Sequence, residues 1–434
     1  MEKIAIIGLG YAGLPLSLLF AQNDIPVVGL DIDSTKVRSL HSGQSYIQHI
    51  KSKSIQQSLR SGKFSASTDF ANVKEVEAVL ICVPTPLNKH QEPDISYILK
   101  TGETIAPYLH KGMLIVLEST TYPGTTENDL RKVLENGSSL KAGKDFYLAY
   151  SPEREDPGNP KYNLANIPKI VGGLTPTCLA RAKTLYSQAF KTVVSVSSCR
   201  VAEATKLLEN IFRSVNIALV NELKVVYAAM GIDIWEVIAA AKTKPFGYMP
   251  FYPGPGLGGH CIPIDPFYLA WKAREYRKQT RLIELAGQIN TAMPEYVISR
   301  VEQALNSQKK AVNGSKVLLI GLAYKPNVDD DRESPGYVLM NLLKLRGAEV
   351  SYYDPHVPIV RPGRNQAHWA GLKTIAWNKQ TISSFDAVII STHHDSTNYK
   401  ELAQWAKSII DTRNVMARRT SSISNKVDFK IWKA

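Results

Sequence analysis

The strongest constraint on the fold is a ten-residue pattern that the chain uses twice. "KIAIIGLGYA" (Lys3 to Ala12) and "KVLLIGLAYK" (Lys316 to Lys325) agree at five of ten positions. Each closes a short apolar run on an Ile-Gly-Leu corner, the way a buried parallel strand turns into the next segment. Around the first copy, "PVVGLDID", "EAVLICVP", "MLIVLEST" and "DFYLAYSP" are separated by helix-length stretches. This predicts a doubly wound α/β domain over residues 1–200. Around the second copy, "AEVSYYDP", "DAVIIST" and "SIIDTRN" predict a smaller Rossmann-like domain over 316–434. Between them, "VAEATKLLENIFRSVNIALVNELKVVYAAMG" repeats apolar residues at three and four, with Gly231 as its stop. A helix of that length would run about 45 Å at 1.5 Å per residue. With "RLIELAGQINTAMPEYVISRVEQAL" it predicts a central helical domain over 201–305, and "NSQKKAVNGS" reads as the exit linker. The fold class expected is therefore α/β, two Rossmann-like domains joined by a helical domain, which 434 residues at 44% apolar content can support.

"GLGYAG" places Gly8, Gly10 and Gly13 in GxGxxG register between a strand and the apolar helix "LPLSLLFAQ". Such glycines permit a tight turn, close approach of backbone to a pyrophosphate and close helix packing. Asp31 follows eighteen residues after Gly13, at the end of the next strand. A carboxylate there accepts hydrogen bonds from a ribose and repels a 2′-phosphate, so NAD is expected rather than NADP. In the second copy, "GLAYKP", the later glycines are gone and Lys325 stands in the turn. A fixed cation there suits a different phosphorylated ligand.

Only four cysteines are present, Cys82, Cys178, Cys199 and Cys261, with no metal-type Cys/His spacing. Three fall within ordinary strand or helix patterns and read as buried thiols. Cys261 lies in "GPGLGGHCIPIDP", a stretch too rich in glycine and proline for regular structure. A thiol suits a dehydrogenase that must capture an aldehyde as a thiohemiacetal and release a second hydride, so Cys261 is a candidate nucleophile. The formal charge of +13 is spread along the chain without a basic, aromatic-interleaved block, which argues for an anionic small substrate over nucleic acid. No apolar run reaches the roughly 20 residues of a membrane span, and the N-terminus enters a strand without signal-peptide features. The cytoplasm is the expected compartment.

The motifs "GLGYAGLP", "CVPTPL", "ESTTYPGTT", "SPERE", "AEATKLLEN", "GPGLGGHCIPIDP" and "GLAYKPNVDDDRESP", in that order, resemble the nucleotide-diphosphate-sugar 6-dehydrogenases. These include UDP-glucose, GDP-mannose and UDP-N-acetylhexosamine enzymes. The resemblance implies a three-part architecture and two NAD reduced per sugar oxidised at C6. It implies that Cys261 is the nucleophile and that Lys206 and Asn210, four apart on one helical face, stabilise the oxyanions. Asp265 and Thr120 would order a water for proton transfer, and Glu153 would serve the water that releases the acid. Tyr11, Ala12, Thr85, Thr120 and Arg332 are expected beside the cofactor. Tyr252, Gly256, Gly258, Gly259, Lys325 and Arg413 are expected around the UDP-sugar, with Glu153, Lys206 and Asn210 at its sugar end. His260 and Ile264 depart from the UDP-glucose and GDP-mannose pattern and resemble the N-acetylhexosamine branch. "KTKPFGYMPFYPGPG" resembles its UDP-N-acetylglucosamine members, so that sugar is expected, with UDP-N-acetylmannosamine or UDP-glucose as alternatives. A homodimer or higher homo-oligomer without metal, membrane or nucleic-acid partners is the expected assembly. The distant alternatives are a two-electron β-hydroxyacid dehydrogenase, which needs no Cys261, and a non-catalytic NAD-binding protein.

Overall fold

Most of the apolar runs become strands buried on both faces. A computed structural model describes residues 3–88, 90–156, 162–259, 262–363, 366–419 and 430–434. The chain divides into two units, Met1–Asn210 with Phe267–Gln279, and Ile211–Pro266 with Thr280–Ala434. In the first unit β1 (Ile4–Ile7), β2 (Val27–Leu30), β3 (Phe64–Ser67), β4 (Ala78–Ile81), β5 (Leu114–Leu117), β6 (Tyr147–Tyr150), β7 (Lys169–Gly173) and β8 (Val193–Val196) form one sheet. Its order is 3-2-1-4-5-6-7-8, parallel apart from the β6–β7 pair, and the first six strands follow the dinucleotide-binding order. Alternate residues of β1 feed two cores: Ile4 and Ile6 pack with Leu14 and Phe20, Ala5 and Ile7 with Leu117 and Leu134.

In the second unit β9 (Lys316–Ile320), β10 (Glu349–Tyr353), β11 (Ala387–Ile390), β12 (Ile409–Asp411) and β13 (Ile431–Lys433) form a fully parallel sheet in the order 10-9-11-12-13. Val317 and Leu319 face one core, Leu318 and Ile320 the other. The predicted helices form as Cys199–Ala229 and Arg281–Ser307, the latter with Pro294 inside it. Gly231, at φ +72°, terminates the first as its sequence position foretold.

The repeated corner is repeated in three dimensions. Gly8 (φ +91°) donates its N–H to Leu30, and Gly321 (φ +81°) donates its own to Tyr353. A Cβ on Gly8 would lie 2.5 Å from the Cys82 carbonyl oxygen, and one on Gly321 would lie 1.9 Å from that of Thr392. The acid closing the second strand of each sheet accepts the next amide, Leu9 N–H to Asp31 at 2.8 Å and Leu322 N–H to Asp354 at 2.7 Å. Gly321→Ala should therefore destabilise the chain well beyond the conformational cost of about 1 kcal/mol. Gly314→Ala, at φ +79° with nothing within 4 Å of its Cβ, should cost only that amount. Thermal denaturation of the two variants checks the difference.

Candidate active site

In the first unit the loops after β1, β4, β5 and β6 meet at the carboxyl edge of the sheet, where strand order reverses between β1 and β4. The three fingerprint glycines serve different needs. A Cβ on Gly13 would collide with the Gly8 carbonyl at 2.0 Å, whereas one on Gly10 would meet nothing within 4 Å. Gly8 and Gly13 are thus fixed by packing, and Gly10 leaves its backbone open to an approaching ligand. Tyr11 stacks on His49, and the Tyr46 hydroxyl donates to the Leu9 carbonyl at 2.5 Å. Asp31 is buried, accepts Leu9 and Asp33 N–H groups, and pairs with Lys36 at 3.1 Å. An open Gly10, the N-terminus of helix Gly13–Gln22 and an acid at Asp31 fit a dinucleotide's pyrophosphate and ribose.

Thr85 lies buried in the loop after β4, its carbonyl accepting the Tyr268 hydroxyl at 3.0 Å. Ser119 donates to the Val83 carbonyl at 2.7 Å, tying the Thr120 loop to the same edge. Lys206 is buried and donates to the Glu153 carbonyl. Asn210 is buried one turn on, so the helix presents both to one side. One turn earlier, Glu203 accepts the N–H groups of Gly124 (2.6 Å) and Thr126 (2.9 Å) and the Thr126 hydroxyl (2.7 Å). The Glu153 carboxylate accepts the Glu155 N–H through Oε1, while Oε2 is buried without a partner among the described residues. A buried orphan carboxylate oxygen marks a place for water or substrate. Burial raises the thiols of Cys82, helped by Glu118, and of Cys199, helped by Glu203, so both stay protonated.

In the second unit the glycine loop is rooted at Gly254, whose peptide N–H donates to Asn221 Oδ1 at 3.0 Å and whose carbonyl accepts Lys224 Nζ at 3.1 Å. Asn221 is held in turn by Asn290, and Asn290 by the Ser214 carbonyl. The Arg413 guanidinium lies where a Gly254 side chain would begin, its Nε donating to the Ser391 carbonyl. Burial, with Arg413 adding to it, lowers Lys224 to about 7. Gly256 packs on Pro335, Gly258 on Pro335 and Tyr324, and Gly259 on Tyr324, its N–H reaching the Arg332 carbonyl at 3.2 Å. The side-chain space at these three glycines is thus filled by the chain itself, so a side chain at any of them would displace the loop. Tyr252 stacks on Trp235, Lys325 lies over Tyr324, and Arg332 makes a bidentate pair with Asp330. Asp265 is buried at the start of helix Asp265–Glu275. Cys261 and its neighbour His260 lie outside the described residues.

Three family models match in succession: the NAD binding domain of the UDP-glucose/GDP-mannose dehydrogenase family at residues 2–190, its central domain at 200–292 and its UDP binding domain at 318–418. The chain belongs to this family. It is an NAD-dependent UDP-sugar dehydrogenase. It is 34% identical over 393 residues, 90% of each chain, to a UDP-N-acetyl-D-glucosamine 6-dehydrogenase of Pseudomonas aeruginosa. It is 35% identical over 404 residues, 90% of this chain and 93% of the relative, to a UDP-N-acetyl-D-mannosamine dehydrogenase of Escherichia coli. Among solved structures, a UDP-D-ManNAc dehydrogenase of Pyrococcus horikoshii superposes with a TM-score of 0.87 at 33% identity, covering 99% of this chain and 98% of that one.

In this dehydrogenase several groups that shape the site carry no motif of their own. Lys169, Asn221, Lys224 and His394 lie outside the quoted motifs, and the contacts of Glu118 in "ESTTYPGTT" and Glu203 in "AEATKLLEN" appear only once distant segments are folded together. Asp354 was within reach of sequence, since it ends the strand after the repeated corner as Asp31 does. The second copy differs in one decisive way. His394 accepts the Asn327 N–H at Nδ1 and so donates from Nε2 to Asp354 at 3.1 Å. Burial would raise the Asp354 carboxyl, but His394 and the surrounding N–H donors hold it below its ordinary value. The position at which the first copy is expected to meet a ribose is thus filled by protein in the second.

Burial raises the Glu203 carboxyl from 4.5 to about 7 against the pull of its Gly124 and Thr126 donors. The folded chain therefore holds this proton more tightly than the unfolded one, and the group's contribution to stability declines as pH rises through that interval. Relative to Glu203→Gln, the dehydrogenase should lose on the order of 3 kcal/mol between about pH 5 and about pH 8. Urea unfolding of both proteins across that range checks the slope.

Proposed function

We propose that the chain oxidises UDP-N-acetylglucosamine at C6 to UDP-N-acetylglucosaminuronic acid, reducing two NAD per sugar, in the cytoplasm and for surface polysaccharide synthesis. The observation that carries the reaction is the cysteine in "GPGLGGHCIPIDP" within a chain of this family. A thiol is what turns an alcohol oxidation into an acid-forming one. The sugar is supported by the His260 and Ile264 neighbourhood of that cysteine and by the Pseudomonas aeruginosa relative. UDP-N-acetylmannosamine is the second reading, favoured by the Escherichia coli relative and the Pyrococcus horikoshii structure.

NAD, when bound, accepts the hydride in each oxidation. Gly8, Gly10, Tyr11, Ala12, Gly13, Asp31, Thr85 and Thr120 would hold it, with Arg332 contributing once released from Asp330. Tyr252, the peptide groups of Gly256, Gly258 and Gly259, Lys325 and Arg413 would hold the nucleotide. The Cys261 thiolate adds to the C6 aldehyde to give a thiohemiacetal, and loss of the second hydride leaves a thioester on sulfur. Lys206 and Asn210 stabilise the C6 oxyanion at each stage, a task suited to a buried ammonium and amide on one helical face. Asp265 and Thr120 order the water that takes the alcohol proton. Glu153, with its orphan Oε2, receives a proton from the hydrolytic water. A homodimer is supported by Leu208, Phe212, Leu219 and Val226, exposed at four- and seven-residue spacing along Cys199–Ala229, and by Met230 just past its end. Among the described residues no helix is long and apolar enough to cross a membrane.

Purified protein should form two NADH per UDP-N-acetylglucosamine consumed, and do so faster than with UDP-N-acetylmannosamine. Cys261→Ala should abolish acid formation. Lys206→Ala should lower kcat by roughly 10²–10³ with KM changed far less. One NADH per sugar, with activity surviving Cys261→Ser, would sink the thioester route.

A further inference from the structure

Three buried polar groups with no part in the chemistry above stand between the segments that carry Thr120 and Glu153. Glu118 follows β5, two residues before Thr120, and is 1% exposed. Lys169 opens β7 and is 2% exposed, and Tyr186 ends the buried face of helix Pro176–Tyr186. Lys169 Nζ donates to Glu118 Oε2 at 2.5 Å and to the Pro152 carbonyl at 3.1 Å. The Tyr186 hydroxyl donates to Glu118 Oε1. The Lys169 ammonium also lies 5.2 Å from the Tyr186 ring centroid and 5.5 Å from that of Phe190.

A buried ion pair of this kind gives little net stability over apolar residues of the same shape, because desolvation offsets the attraction. What it supplies is direction. Lys169 grips the carbonyl of Pro152, and Lys206 grips the carbonyl of Glu153. Two ammonium groups on successive carbonyls fix the peptide between them, and with it the bond from which the Glu153 side chain departs. Further anchoring comes from Ser151, whose hydroxyl donates to the Ile170 carbonyl at 2.7 Å beside Lys169. The carboxylate so placed is that of Glu153, whose buried Oε2 has no partner among the described residues.

We propose that Lys169, oriented by Glu118 and Tyr186, is a positioning residue for thioester hydrolysis, setting Glu153 on the attacking water. The inference rests on the four-electron reading above. In that step the water oxygen bonds to C6 and one of its protons passes to Glu153. The C6–S bond breaks with its electron pair leaving on Cys261 sulfur. Neither hydride transfer involves the Lys169 contact, so the two halves of the reaction are expected to separate in variants.

The test uses the full-length enzyme with NAD and UDP-N-acetylglucosamine, combining rapid-quench kinetics with intact-protein mass spectrometry. Glu118→Leu with Lys169→Met replaces the pair by apolar side chains of similar length. We expect a normal first burst of NADH, a KM for the sugar within about twofold, steady turnover at least about tenfold slower, and protein carrying the mass of a uronyl adduct. Lys169→Arg, which retains donors for Glu118 and Pro152, should restore most of the turnover and remove the adduct. Tyr186→Phe removes only the hydroxyl that donates to Glu118 and should show a weaker form of the same phenotype, so it decides the matter if the double variant does not fold. Unchanged turnover without adduct in the double variant, or in Tyr186→Phe if that variant alone folds, overturns the proposal. So does a slow first burst, because the pair would then act on hydride transfer or on the fold. The wild type run alongside reports separately on the underlying reading: one NADH per sugar there would overturn the four-electron route itself.

Discussion

A carboxylate at the end of the second strand, accepting the amide that follows a glycine corner, is the contact around which each sheet arranges its loops. Asp31 does this for Leu9, and Asp354 for Leu322 and Ala323. A charge-assisted bond to a backbone N–H is stronger than a neutral one and leaves the corner little freedom. Once the corner is fixed, the loops from neighbouring strands are registered against it. In the first unit Ser119 then ties the loop after β5 to the loop after β4, and Tyr268 holds the latter at Thr85.

Around that frame the chain keeps several charges out of water. Glu118 with Lys169, Glu203 with the Gly124 and Thr126 amides, and Lys224 with the Gly254 carbonyl all trade solvation for direction. Each grips a peptide group next to a residue assigned a part in the reaction: Pro152 beside Glu153, Gly124 in the segment that follows Thr120, and Gly254 at the root of the cysteine loop. Thr120, Glu153 and Cys261, to which the proposal gives a part in the reaction, belong to irregular segments, and charged side chains from helices and strands grip peptide groups of those segments. This lets irregular backbone act with the rigidity of regular structure.

The sequence carried the interior of both sheets. "KIAIIG", "EAVLICVP" and "MLIVLEST" are apolar on both faces because their strands are central, and that pattern has few other readings. The strands it did not disclose are β3 (FSAS), β7 (KIVGG), β8 (VVSV) and β13 (IWK). β3, β8 and β13 are sheet edges, where one flank is unpaired and apolar content falls, and β7 ends in two glycines. The candidate site was legible where chemistry demands a local motif, as with Gly8, Gly13 and Asp31. It was illegible where a role depends on partners far along the chain. Lys169 meets Glu118 across 51 residues of sequence, and no spacing rule connects them.

The two corners also differ where they are free to differ. Gly8 and Gly321 are identical because a side chain at either would overlap a carbonyl of the neighbouring strand's loop. Gly10, which faces open space, has become Ala323, a wholly buried residue. Packing thus accounts for the corner glycine in both copies, whereas Gly13, which opens a helix against the Gly8 carbonyl in the first, has its counterpart in Pro326 of the second, where no helix begins until Pro335. A chain that contains the same corner twice thus holds its own control: what both copies keep, the glycine at the turn and the acid that accepts the next amide, reports on construction rather than on the ligand.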